Sequence, residues 1–214
     1  MTQLPTYENS VFINCPFDPE YLDLFHAMIF TISCLGFSPR CSLEAGYGGI
    51  RLIQIIEIIE QCKYGIHDIS RVELDNATGL PRFNMPMELG IDLGCRHFGG
   101  EQHKTKSVLI LDTEKYRYQK YLSDMSGVDG YAHNNDIGDL IKSIRNWLQK
   151  VSAREKLPGG PFIQKEYARF IKRKPKLCRQ EKLDLHDLTF IDYNHIVRLW
   201  IKDRKEHLPE TYYE

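Results

Sequence analysis

Gly65-Ile-His-Asp-Ile-Ser-Arg71 runs from an apolar stretch into a polar loop, and Phe83-Asn-Met-Pro-Met-Glu-Leu-Gly90 follows that loop. The first segment predicts a buried strand that ends near Asp68. The second predicts the start of a helix, with Asn84 as its N-cap, proline just inside the start and Glu88 in the first turn. Because ligands of parallel sheets bind beyond the carboxyl ends of the strands, we expect Asp68 and Glu88 to share one cleft there.

Short apolar runs alternate with helical periodicity along the first two thirds of the chain. The runs predict strands at 10–15, 37–43, 64–69 and 107–112, with 127–132 as a candidate fifth strand. Apolar residues spaced by three and four predict helices at about 20–35, 50–61, 84–99 and 136–154. This alternation predicts an α/β fold of the flavodoxin-like, doubly wound kind, built on a mainly parallel five-stranded sheet.

The remainder of the chain has a different pattern. Leu157-Pro-Gly-Gly-Pro161 is a helix breaker. Ile171-Lys-Arg-Lys-Pro-Lys176 is a basic cluster that either contacts phosphate or is a solvated helix end, and we favour the helix end because nearby acidic residues cancel a sustained field. Residues 189–207 have the spacing of a helix. We therefore predict an α/β domain over 1–156 and a helical appendage over 157–214, which docks on that domain, on a second copy of the chain or on a partner protein.

Composition excludes several classes of partner. The net charge of the 214 residues is −1, so no global field attracts nucleic acid or anionic lipid. No apolar run approaches the length of a membrane span. The first ten residues lack a basic region followed by an apolar one, so we expect no secretory signal. A cytoplasmic protein is the resulting expectation.

Cysteines and histidines form no recognisable metal motif. The six cysteines include no C-x-x-C pair, and the eight histidines show no H-x-x-H or H-E-x-x-H spacing, so we expect no metal site. Free thiols in apolar segments fit a reducing compartment. Cys15 is interpreted as a core or lining residue, and His67 as a residue that faces the core or a helix.

Glu88 and Asp68 each have two interpretations on chemistry alone. A carboxylate beside an anomeric carbon stabilises an oxocarbenium ion or attacks it, and a cationic leaving base needs no proton. An acidic residue at a strand end holds ribose hydroxyls in dinucleotide-binding folds. Against this, Glu88 is also typical of a surface glutamate near a helix start, and Asp68 is typical of a turn or capping residue.

Other polar residues point at the same edge of the sheet. Asn14-Cys-Pro-Phe-Asp18 follows the first strand and offers an amide and backbone N–H groups to a phosphate or ribose. Phe17 either stacks on a base or packs as a hinge aromatic. Arg40 and Arg71 either bind phosphate or form surface ion pairs. Neither a P-loop nor a Rossmann glycine fingerprint is present.

Two segments carry a resemblance to known families. Val11-Phe-Ile-Asn-Cys-Pro-Phe-Asp18 resembles the opening strand and loop of TIR domains and of nucleoside 2-deoxyribosyltransferases, flavodoxin-like folds that act on N-glycosidic bonds. Ile66-His-Asp-Ile-Ser70 and Pro86-Met-Glu-Leu-Gly90 resemble the deoxyribosyltransferase pattern of an aspartate after the third strand and a Glu-Leu-Gly helix start. The likeness covers about residues 10–150. It departs from TIR domains where Phe83-Asn-Met-Pro-Met87 stands in place of a Trp-Cys pair.

The resemblance implies roles for particular residues. Glu88 would be the catalytic carboxylate, Asp68 would orient the ribose, and the loop after the first strand would contact the nucleotide. NAD or another nucleotide would be the substrate, with no further cofactor. The implied substrate-binding residues are Asn14, Pro16, Phe17, Asp18, Arg40, Ser70, Arg71 and Asn84.

Three functions remain open at this point. The first is a nucleotide N-glycosidase or ribosyl transferase, in a bacterial defence role such as related TIR proteins have. The second is a binding module in which the same crevice senses a nucleotide without turnover. The third is a self-association domain, as many TIR domains are.

Overall fold

Apolar side chains on both surfaces of short strands build the centre of the structure. A computed structural model describes residues 5–46, 48–74, 79–125 and 130–207, without the side chains of 205–207. The strands of this part are β1 (Ser10–Asn14), β2 (Ser38–Cys41), β3 (Tyr64–Asp68), β4 (Ser107–Asp112) and β5 (Gly130–Ala132). They pair in the order β2-β1-β3-β4-β5, and every pairing is parallel. The predicted flavodoxin-like, doubly wound fold is confirmed.

Helices cover both surfaces of this sheet. Those of the described residues are α1 (Leu22–Cys34), α2 (Arg51–Glu60), α3 (Asn84–Phe98), α4 (Ile137–Ser152), α5 (Gly160–Gln180) and α6 (Phe190–His207). The bounds of α1, α2, α3, α4 and α6 agree with the predicted ones to within about three residues, and Asp136 caps α4 by accepting a hydrogen bond from the Asp139 amide. No bounds were predicted for α5, and the basic cluster at 171–176, which was interpreted as a helix end, lies inside this helix, because lysine and arginine are good helix formers. Between β4 and β5 the described residues form only short 3-10 turns, at Arg117–Lys120 and Ser123–Met125. Residues 127–129 of the predicted fifth strand lie outside the described part.

Alternation along the strands sends neighbouring side chains to opposite surfaces. Val11 and Ile13 belong to the larger core, with α1 and α4. Phe12 points the other way and packs with Ile55, Ile58 and Ile59 of α2. Beside it, α3 covers β3 and β4. The sheet therefore has an α1/α4 side and an α2/α3 side.

The two C-terminal helices form a second layer on the α1/α4 side. Phe170 of α5 packs on Phe30 of α1 with ring centroids 5.2 Å apart, and Tyr193 of α6 stacks on His26 at 3.7 Å. The chain turns into α5 at the predicted breaker, and α5 and α6 share one hydrophobic cluster with α1 and α4. None of the helices in the described part has the length and apolar character needed to cross a bilayer.

A buried polar network lies between β3 and α3. The Asp92 carboxylate of α3 accepts a hydrogen bond from His67 Nε2 at 2.9 Å and lies 3.1 Å from Lys106 Nζ. Lys106 also donates to the carbonyls of Ile59 and Cys62. Burial by itself raises the pKa of the Asp92 carboxyl, but the hydrogen bond from His67 and the charge of Lys106 bring that pKa below its ordinary value.

Gly65 makes room for this network. A Cβ atom at position 65 would lie 2.0 Å from Asp92 Oδ2, well inside van der Waals contact. The close approach of α3 to β3 therefore requires glycine at this position of the strand, where glycine otherwise weakens a strand.

Gly65→Ala is expected to lower the free energy of unfolding by about 2–4 kcal/mol, because the methyl group displaces a buried ionised carboxylate. Gly90→Ala is the matched control. No atom lies within 4 Å of a Cβ at position 90 in α3, so alanine should leave stability unchanged or raise it by about 0.5–1 kcal/mol. Urea unfolding of both variants measures the difference, and equal stability of the two would contradict the packing described.

Candidate active site

The carboxyl ends of β1 and β3 form the switch point of the sheet. From β1 the chain crosses to β2 on one side, whereas β3, β4 and β5 extend on the other. The loops that leave these two strands therefore diverge, and such a crevice is where doubly wound folds bind ligands. The loop after Asn14 and the loop after Asp68 border it.

The Asn14 side chain, at the end of β1, forms hydrogen bonds with the end of β3 and with the start of α3. Its Nδ2 donates to the Met85 carbonyl at 2.8 Å and lies 2.9 Å from Nδ1 of His67. Since a carbonyl only accepts, the amide nitrogen must face Met85, and the second proton of the amide goes to His67. The predicted ligand-binding donor is thus fully used inside the protein, where it positions the helix that carries Glu88.

Glu88 is a buried carboxylate without a partner in the described structure. It is 7% exposed, and it makes no hydrogen bond or ion pair with the residues described. Burial raises its pKa from 4.5 to about 7, and the positive charge of Arg51 partly opposes that rise. When it is ionised, the Glu88 carboxylate has no partner among the described residues and can interact with a ligand.

The start of α3 differs from the prediction in one respect. Phe83 occupies the N-cap position, no side chain caps the helix, and Asn84 is its exposed first residue. Glu88 is therefore the fifth residue and lies beyond the first turn, which contains no acidic residue. The helix dipole acts mainly within the first turn, so it gives the Glu88 carboxylate little stabilisation.

Cys15 lies within electrostatic reach of both predicted carboxylates. Burial raises the pKa of its thiol well above the usual range, and the charges of Asp68 and Glu88 act in the same direction. A thiol in this setting stays protonated and unreactive, which supports its interpretation as a lining residue. The described residues hold no group of three or more histidines, cysteines or acids arranged for a metal ion.

Asp68 is more enclosed than expected. It has no exposed surface, and its carboxylate accepts from the Tyr21 hydroxyl at 2.5 Å and the Ser70 amide at 2.9 Å. His133 Nε2 lies 3.0 Å from the same carboxylate, and its Nδ1 accepts from the Asn135 amide, so the proton of the ring is on Nε2. The Tyr21 hydroxyl and the Ser70 amide each donate to a different oxygen of the Asp68 carboxylate, whereas His133 Nε2 lies close to it without forming a hydrogen bond.

Asp68 and Glu88 do not share one cleft, so the prediction that they do is wrong. Tyr21 precedes α1 and His133 precedes α4, so Asp68 points to the α1/α4 side, whereas Glu88 lies on α3 at the other side. The cause is the two-residue period of the strand, which directs His67 to α3 and its neighbour Asp68 away from it.

A groove opens on the α1/α4 side above Asp68. Its volume is about 540 Å³, within the usual size range of ligand sites. Ser70 and Arg71 line it, together with Tyr21, Thr113 and Asn135 and the acidic side chains of Glu20, Asp23 and Glu73. The predicted residues Ser70 and Arg71 thus lie next to the groups that hold Asp68.

Carboxylates already engage the arginines of this edge. Arg71 lies 2.9 Å from Glu20, Arg82 lies 3.4 Å from Asp18, and Arg117 lies 2.5 Å from Glu73 and 2.7 Å from Asp112. The ion-pair interpretation of Arg71 therefore describes this structure. The edge carries more acid than base, which disfavours a highly phosphorylated ligand.

The other predicted binding residues lie in different places. Asp18 caps the turn before α1 by accepting from the Tyr21 amide, and exposed Phe17 packs edge-to-face on Phe25 with ring centroids 5.1 Å apart. Pro16 is buried. Arg40 pairs with Glu44 at 2.6 Å and reaches Gln61, which precedes β3, so it lies toward the opposite end of the strands from Asp68.

Tyr21, His133 and Arg51 were not predicted as site residues. Tyr21 and His133 hold Asp68, and Arg51 is the cation whose charge acts on Glu88. The only sequence signal was position, since each follows the end of a strand or begins a helix. No family model matches this chain, and no curated protein is significantly similar to it in sequence.

Glu88→Gln is expected to raise the free energy of unfolding at pH 8 by roughly 1–3 kcal/mol. The pKa of Glu88 is raised from 4.5 to about 7 in the folded protein, so its ionisation costs stability as the pH rises through that range. At pH 5 the folded carboxyl is protonated, and the gain should fall below about 1 kcal/mol. Urea unfolding of Glu88→Gln and of the wild type at both pH values measures the difference in unfolding free energy. A lower stability of Glu88→Gln at pH 8 would show that the carboxylate has a partner.

Proposed function

We propose that this chain cleaves or transfers the N-glycosidic bond of a nucleoside or nucleotide, NAD(P) included, with Glu88 as the catalytic carboxylate. One observation carries the proposal: Glu88 is buried beside the switch point with no partner among the described residues and a pKa of about 7. Partners neutralise structural buried acids, as Asp92 illustrates one turn later. An unneutralised one is costly and indicates function.

The chemistry follows from this charge. As the C–N bond breaks, its electron pair leaves with the base and C1′ of the ribose becomes cationic. The Glu88 carboxylate stabilises that cation or forms an ester bond to C1′. Water or the ring nitrogen of an acceptor base then bonds to C1′ and gives up its proton to solvent, and the Glu88 carboxylate is released, which completes hydrolysis or transfer. A pyridinium base departs as a neutral molecule, so it requires no proton donor.

Asp68 takes a positioning role in this proposal. Its carboxylate joins the Tyr21 hydroxyl, the Ser70 amide and His133, and so it fixes the loops on which the groove residues stand. Ser70 and Arg71 are the proposed contacts to the sugar and its substituents. They line the groove on the α1/α4 side, so the proposal requires a substrate that extends from this groove across the carboxyl end of β3 to Glu88 on α3. The acidic surroundings favour a substrate with a cationic base or few phosphates.

The proposal places the chain with the deoxyribosyltransferase-like and TIR-like proteins that its Asn-Cys-Pro-Phe-Asp and Pro-Met-Glu-Leu-Gly segments resemble. A cytoplasmic, bacterial setting and a role in defence against phage belong to the same proposal. The parallel sheet with its switch point between β1 and β3 supports it at the level of fold.

One observation favours a second candidate, a nucleotide-sensing module without turnover. Asp68 has no exposed surface and both its oxygens are occupied, so it orients no ribose in this structure. Binding of a ligand in the neighbouring groove would then change the positions of α1 and α4, which start there. Saturable binding without product formation distinguishes this candidate from the enzyme.

Incubation of the full chain with NAD, NADP and a nucleoside mixture, followed by mass spectrometry, should reveal release of a free base. Glu88→Gln should lower the rate by at least about 10²-fold, because the cation at C1′ then loses its counter-charge. Glu57→Gln, an exposed acid on α2, is the matched control and should retain full activity.

Circular dichroism of Glu88→Gln must show a native spectrum for this comparison. Absence of any product from the wild-type chain, tested also at high protein concentration to allow assembly, would overturn the enzymatic proposal. Full activity of Glu88→Gln would instead remove Glu88 from the mechanism.

The pH dependence should report the same carboxyl. Because Glu88 acts as an anion and its pKa is about 7, kcat/KM should fall about tenfold per pH unit below 7 and level off above it. An ordinary glutamate would give the same limb near pH 4.5. Rates measured from pH 5 to 9 distinguish the two, and a flat profile between pH 5.5 and 7 would contradict the assignment.

A further inference from the structure

A second cavity lies at the far end of α1 from Asp68. It has a volume of about 300 Å³ and is bounded by the end of α1, the segment that joins α4 to α5, and the facing surfaces of α5 and α6. Tyr21, which holds Asp68, immediately precedes α1, whereas Leu35 and Gly36, which follow the helix, line this cavity. The two sites therefore share a helix and no lining residue.

Aromatic rings form part of the wall. Phe30 of α1 and Trp200 of α6 are buried, and Phe162 of α5 is half-buried. Aromatic walls of this kind favour a planar apolar ligand, which gains stacked and edge-to-face contacts as well as burial. A ligand of roughly ten to fourteen heavy atoms suits a cavity of this size, at the small end of the range for ligand sites.

The charges around the cavity are unbalanced. Arg154, Lys156 and Arg204 line it, against the single carboxylate of Glu166. Glu166 is 4% exposed, and its two oxygens accept from Arg204 at 2.9 and 3.0 Å, with Arg169 at 2.6 Å from one of them. That carboxylate is therefore saturated and repels an incoming anion little.

The two remaining cations have no carboxylate partner among the described residues. Exposed Lys156 makes no hydrogen bond or ion pair there. Arg154 donates only to the carbonyls of Leu35 and Gly36, and its guanidinium lies 3.7 Å above the Phe37 ring. Neutral carbonyls and a ring leave its charge uncompensated.

We propose that this cavity binds a small planar monoanion, an aromatic ring system that carries one carboxylate or sulfonate. The ring lies beside Phe162 and Trp200, with the fully buried Phe30 behind them, and the anionic group lies at the mouth beside Lys156 and Arg154. The ligand is held between α1, the α4–α5 segment and α6, and its binding stabilises the packing of the C-terminal helices on the rest of the fold.

Isothermal titration calorimetry of the full chain with 2-naphthoate, and with uncharged 2-naphthylmethanol, tests the proposal. We expect saturable binding of one naphthoate per chain and at least roughly fivefold weaker binding of the alcohol. Lys156→Glu, a change at an exposed residue, should weaken naphthoate roughly tenfold or more by reversing the charge at the mouth. Lys172→Glu, at an exposed position of α5 outside the cavity, is the matched control and should bind as the wild type does.

Phe162→Leu supplies a second variant, which keeps an apolar side chain but removes one aromatic wall. It should bind naphthoate more weakly than the wild type while Lys172→Glu does not. The proposal is overturned if naphthoate shows no saturable binding up to about 5 mM. It is equally overturned if the acid and the alcohol bind alike, or if Lys156→Glu has no effect.

Discussion

The side-chain amide of Asn14 joins three elements at the point where the sheet changes direction. One of its protons goes to the Met85 carbonyl in the first turn of α3, and the other goes to His67 at the end of β3. That second bond fixes the proton of His67 on Nε2, which donates to Asp92. The end of β1, the end of β3 and the position of α3 therefore depend on one amide, and Glu88 takes its place from α3.

Glu88 and Asp92 lie one turn apart on the same helix and are both buried, yet their pKa values move in opposite directions. Asp92 receives a hydrogen bond from His67 and the charge of Lys106, so its pKa falls although burial raises it. Glu88 has only the distant charge of Arg51 against burial, so its pKa rises to about 7. The fold thus neutralises one buried acid and leaves the other buried without a partner among the described residues. This contrast is the physical basis of the proposed catalytic role.

Local patterns in the sequence were sufficient for the fold. Period-two and period-3.6 spacing located β1 to β4 and every described helix except α5, because burial of one face imposes those periods. The site was accessible only in part. Glu88 could be identified from its position near a helix start. The enclosure of Asp68 could not, because it depends on Tyr21, 47 residues away in sequence, and on His133, which the loop before α4 brings to the Asp68 carboxylate. Ion pairs such as that of Arg71 with Glu20 also cannot be predicted from residue spacing, since they form between loops that meet only in the folded chain.

The proposed role of Glu88 depends on the raised pKa of its carboxyl, and a ¹³C NMR titration measures that pKa directly. The Glu88 side-chain carboxyl resonance is assigned by its absence from the spectrum of Glu88→Gln and followed from pH 4 to pH 9. We expect a titration midpoint near 7, since the carboxyl is buried and has no partner among the described residues. A midpoint near 4.5, the ordinary value for glutamate, would show a solvated or paired carboxylate and would contradict the account.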